Sequence, residues 1–145
     1  MHAFLCTNRV PLTIKAHGHL TYENDIKEAF RQYWPNVQMQ EGDLYGIVYY
    51  FHKKPSQIDA DNLCKPVFDA LENELYADDG LIKFVKTAIF DLRAHNVQIL
   101  DLTKIPGNIF SDFLEELDNS DHILYVEIGD MNYEMFEFGC ENQSE

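Results

Sequence analysis

"DLYGIVYYFHKKPSQIDADNLCKPVFDALENELYADDGLIKFVKTAIFDL", residues 43–92, decides the fold. It opens with "DLYGIVYYFH" (43–52), rich in β-branched and aromatic residues, which reads as a well-buried strand. Leu63, Val67, Ala70, Leu71 and Leu75 then recur at helical spacing, a core-facing stripe whose opposite face carries Asp61, Lys65, Asp69 and Glu72. Pro66 is tolerated only in a first turn, so the helix begins within a few residues of Asn62. "ADDG" (77–80) has the composition of a tight turn, and "LIKFVKTAIFDL" (81–92) resumes as a strand.

Outward from this β-α-β unit, "TYENDIKEAFRQYW" (21–34) sets Ile26, Ala29, Phe30, Tyr33 and Trp34 at helical spacing. Thr21 or Asn24 is its candidate N-cap, and Pro35 ends it. "RVPLTIKA" (9–16) reads as an edge strand, where Pro11 needs no ladder donor. "VQIL" (97–100) is a strand extension or partner, "IFSDFLEELDN" (109–119) a short amphipathic helix, and "HILYVEIG" (122–129) a final strand. The order β-α-β-α-β-(α)-β predicts a small α+β domain, a mixed sheet with helices packed on one face, over residues 1–130. Residues 131–145 read as an acidic C-terminal tail.

The chain has 145 residues, 46% of them hydrophobic and 13% aromatic, enough for one packed domain and contrary to disorder. No apolar run approaches the roughly 18 residues that span a bilayer, so no membrane partner is expected. With three widely spread cysteines and no disulfide framework, a cytoplasmic location is the expectation. The net charge of −14 is uneven: residues 1–104 hold 14 acids against all 11 Lys and Arg, a net of −3, whereas residues 105–145 hold 11 acids and no base. A negative surface repels phosphate backbones, and that argument weighs mainly on the C-terminal quarter.

Asp59 and Asp61 flank one residue where loop gives way to helix, so in extended backbone both carboxylates project to one side. That suits two oxygens on one hard cation such as Mg²⁺, which prefers carboxylates and keeps several waters. A third carboxylate, Asp78 or Asp79, would close such a site from the turn. Lys65, four residues after Asp61, lies on the same helical face, within reach of a carboxylate or of charge developing in phosphoryl transfer. Singly, these residues are also read as a helix cap, an i,i+4 ion pair and a solvated turn; a bound cation accounts for all of them together.

"DADNLCKPVFDALENELYADDGLI" (59–82), with the strand "GIVYYF" before it, resembles the signature of the RusA-type Holliday-junction resolvases, small endodeoxyribonucleases. The resemblance implies a RusA-like α+β fold, a homodimer, and Mg²⁺- or Mn²⁺-dependent hydrolysis of phosphodiesters in branched, four-way DNA, serving recombination and repair. It also implies Asp59, Asp61 and Asp79 as metal ligands and catalytic residues, with Lys65 as the catalytic basic residue. Lys53, Lys54, Lys83, Lys86 and Arg93 lie near the motif and are candidates for DNA contact. The overall charge supports a different class, a non-enzymatic acidic protein, either a degenerate resolvase fold or a DNA mimic that binds a DNA-binding partner.

Overall fold

The computed structural model describes residues 1–94 and 100–141. Its elements run β1 (His2–Thr7), α1 (His19–Tyr33), β2 (Leu44–His52), α2 (Cys64–Leu71), β3 (Ile82–Asp91), α3 (Gly107–Asn119) and β4 (His122–Asp130). The sheet order is β1-β4-β2-β3. β4 pairs antiparallel with both β1 and β2, and β2 pairs parallel with β3. A parallel pair needs a long crossover, which here is residues 53–81 carrying α2. This is the expected α+β domain with a mixed sheet.

Alternation along the strands divides the sheet into two apolar faces. Phe4, Leu44, Val48, Tyr50, Leu124, Val126 and Ile128 form one, packed with Tyr22, Ile26 and Phe30 of α1 and Leu63, Val67, Phe68 and Leu71 of α2. Ala3, Leu5, Phe51, Ile123 and Tyr125 form the other, which receives Ile109 and Phe113 of α3. Thus α1 and α2 share a face, as expected, while α3 crosses to the opposite one. The reason is compositional: the second face is itself apolar and aromatic, and the stripe on α3, together with Leu100, Leu102 and Ile105 just before it, covers it.

Three further sequence expectations shift. α1 begins at His19 behind Gly18 (φ 85°), so Thr21 and Asn24 lie inside the helix and neither is its N-cap. Residues 9–16 form no strand; the N-terminal strand is "HAFLCT", whose alternate residues are buried on both faces and whose partner β4 lies some 120 residues on. The second helix stops at Leu71, because Glu72 turns extended (φ −62°, ψ 131°) and Asn73 takes a left-handed backbone (φ 67°). Leu75 is buried as its spacing suggested, but from the turn after the helix. Most of "VQIL" lies outside the described residues. In the tail, the Phe136 ring packs edge-on against Phe84 of β3 at 5.0 Å. The described helices include none long and apolar enough to cross a membrane.

Candidate active site

β2 ends at His52, and the chain returns toward the start of β3 through a loop fixed at several points. His52 Nδ1 lies 2.7 Å from the Lys54 carbonyl, and Lys53 N–H donates to Asp121 O at 2.9 Å. Asp59 is extended (φ −89°, ψ 151°), and Ala60–Asn62 make one tight helical turn closed by Asn62 N–H donating to Asp59 O at 3.0 Å. This turn packs against β3. The Asp59 side chain makes no capping bond, and both Asp59 and Asp61 are exposed. Leu63, fully buried, anchors the chain where α2 begins.

α2 buries Pro66, Val67, Phe68, Ala70 and Leu71, which turns Lys65 and Asp69 outward. Pro66 sits in the first turn, where a missing N–H costs nothing. Lys65 Nζ lies 2.8 Å from Asp69 Oδ1 and 2.8 Å from Asp79 Oδ2. The first contact is the i,i+4 pair of one helix face; the second spans helix and turn. The hydrogen bonds it donates to Asp69 and Asp79 hold the Lys65 ammonium above the ordinary lysine range. The bond from Lys65 holds the Asp79 carboxyl below the ordinary carboxylate range.

The turn before β3 adds two more carboxylates. Asp78 Oδ1 accepts from Gly80 N–H at 2.8 Å, and Asp79 N–H points to Glu72 Oε1 at 3.3 Å. Glu72, Asp78 and Asp79 each present an oxygen within 4.8 Å of the others, a donor set able to hold a divalent cation. Among the described residues, Asp59 and Asp61 join no cluster of three at that spacing. The fold therefore brings Lys65, Asp69, Asp79, Asp78 and Glu72 together, with Asp59 and Asp61 on the neighbouring turn.

Two acids escaped the sequence reading. Its spacing puts Glu72 on the helix face, and it joins the cluster only because the backbone reverses there; the sequence signal is Asn73, a residue that tolerates left-handed backbone. Glu23, on α1, faces the site across the α1–α2 contact: burial first, then the Asp69 carboxylate, raises its pKa.

The candidate DNA-contacting residues are dispersed. The Lys53 ammonium donates to the Leu117 carbonyl, in the last turn of α3, so its charge serves that helix end. Lys54 is exposed. Lys83 is the extra residue of a register shift, where Leu44 pairs with Ile82 but Tyr45 with Phe84. Lys86 pairs with Ile47 on the sheet face opposite α2. Arg93 is bound to Asp91 at 2.8 Å.

A mixed-sheet α+β domain with a lysine-bridged carboxylate group at the start of a parallel strand frames the comparison with known proteins. The sequence model described as endodeoxyribonuclease RusA matches residues 6–99, well over half of the chain. The chain belongs to the RusA endodeoxyribonuclease family. No curated protein matches it. The matched segment holds the last two residues of β1 and all of α1, β2, α2 and β3, and so every residue of the candidate site.

Proposed function

We propose that this protein is a structure-specific endonuclease that resolves four-way DNA junctions by divalent-metal-dependent phosphodiester hydrolysis. The observation that carries this reading is the Lys65 ammonium, 2.8 Å from Asp79, beside the Glu72, Asp78 and Asp79 oxygens, within the segment that matches the family. The donor chemistry suits Mg²⁺ or Mn²⁺: the clustered groups are carboxylates, with no thiolate or imidazole among them. Asp79, with Asp59 and Asp61 from the adjoining turn, would hold the ion, and Glu72 and Asp78 lie close enough to contribute. When bound, a divalent cation lowers the pKa of a water and neutralises a phosphate oxygen.

The chain's own groups supply the rest. Lys65 offers an ammonium to the oxygen on which negative charge develops, and its pair with Asp79 holds that ammonium at the site until a cation binds. Lys54 and Lys83 would contact flanking phosphates. The site is open to solvent, as a duplex substrate requires. We take the nuclease unit as residues 1–130, the acidic tail as 131–145, and the working form as a homodimer, which matches the paired incisions that junction resolution demands. A role in recombination and repair within the cytoplasm follows from that activity.

The test is incubation of a labelled four-way junction with the protein and Mg²⁺ or Mn²⁺. Symmetric nicks that disappear with chelator and with Asp61→Asn support the reading; cutting that persists in Asp61→Asn removes Asp61 from the site. One observation favours a second reading: all 11 acids of residues 105–145 stand without a single Lys or Arg, as in a protein that imitates nucleic acid. Such a mimic would bind Mn²⁺ no better than its Asp59→Asn, Asp61→Asn double variant does, which isothermal titration distinguishes.

A further inference from the structure

Asp69 lies outside the set of residues that the family resemblance makes functional, yet it shares the lysine. Its Oδ1 and Asp79 Oδ2 stand at the same 2.8 Å from Lys65 Nζ, one from the next turn of α2 and one from the turn before β3. A single ammonium is thus divided between a carboxylate fixed to its own helix and a carboxylate proposed to ligate a cation. A cation arriving at Asp79 competes with that ammonium, because both seek the same oxygens. If Asp79 were the lysine's sole partner, binding would strip Lys65 of every ion pair. Asp69 provides the alternative.

We infer that Asp69 is a positioning residue: it keeps the Lys65 ammonium at the site when a divalent cation displaces it from Asp79, which lowers the cost of loading the ion and leaves the lysine aimed at the phosphate. This rests on the nuclease reading above. The helix is suited to the role: Pro66, Val67, Phe68, Ala70 and Leu71 are buried around Lys65 and Asp69, so the i,i+4 geometry is fixed by the core.

A double-mutant cycle separates this role from simple charge removal. Mn²⁺ affinity is measured by isothermal titration for the full chain, Asp69→Asn, Lys65→Met and the double variant, with thermal melts to verify folding. Asp69→Asn is expected to weaken Mn²⁺ binding about 5- to 10-fold when Lys65 is present and less than about 2-fold in Lys65→Met. Asp69→Glu, which keeps a carboxylate on the same turn, should restore most of the loss, and junction cleavage by Asp69→Asn should fall in kcat more than in KM. Equal losses in both lysine backgrounds, or no loss in either, would overturn the inference while leaving the nuclease reading intact. Absence of Mn²⁺ binding by the unaltered chain would defeat both.

Discussion

Gly46 of β2 has no room for a side chain: a Cβ there would meet the Phe68 ring at 2.6 Å, so close approach of strand and α2 depends on glycine. Gly46→Ala should therefore destabilise the protein by about 1–3 kcal/mol in urea denaturation, the usual cost of overpacking. Trimming the ring, as Gly46→Ala with Phe68→Leu, should recover part of it. A second residue-level expectation concerns His122, whose Nδ1 lies 2.6 Å from the Tyr50 hydroxyl. A protonated ring could not accept the phenol's proton at Nδ1, and burial lowers the His122 pKa. The unfolded chain then binds more protons than the folded one near its ordinary pKa of about 6.5, so this contribution is present above that pH and lost as pH falls below it. Melting temperature should drop between pH 7 and 5, and Tyr50→Phe should flatten the drop. At this scale the sequence disclosed the acids and lysine of the site by type and spacing. It concealed Glu72 and Glu23, because their approach depends on a backbone reversal and on the packing of α1 against α2.

Periodicity carries real information about elements where burial is one-sided or continuous. α1, β2, β3, α3 and β4 were legible because each run of apolar residues is long enough to distinguish a period of 3.6 from a strand. β1 was not, since six residues with both faces buried resemble many short apolar runs, and only pairing with β4 identifies them. The end of α2 was overrun for a related reason: Leu75 continues the stripe although the helix has stopped. Asn73 is decisive there, and the expectation is asymmetric. Asn73→Ala should cost about 1–2 kcal/mol, the penalty of a Cβ in left-handed backbone, while Asn73→Gly should be neutral or mildly stabilising. Thermal denaturation checks both. Because the reversal presents Glu72 to Asp79, Asn73→Ala should also weaken Mn²⁺ binding more than Asn73→Gly does.

For the whole molecule, the order of the sheet matters more than the order of the chain. The family match ends at residue 99, yet β4, at residues 122–130, lies between β1 and β2 and bonds to both. Without it, two halves of the core lose their shared strand. A chain ending at residue 104 should accordingly show no cooperative unfolding transition by circular dichroism, even though it retains every candidate site residue. The acidic C-terminal region is therefore part of the fold as far as β4, and its charge cannot be shed without losing the sheet that holds β3 and the turn before it. The same architecture explains why the site sits where it does: the parallel β2–β3 pair forces a crossover, and the crossover delivers Lys65 and Asp79 to one point. Whether that point holds a cation is decided most directly by isothermal titration of Mn²⁺ into the full chain and into Asp79→Asn. The unaltered chain should bind Mn²⁺, and Asp79→Asn should weaken that binding at least about tenfold, the least that loss of even an outer-shell partner costs; superimposable isotherms from the two proteins would exclude Asp79 as a ligand.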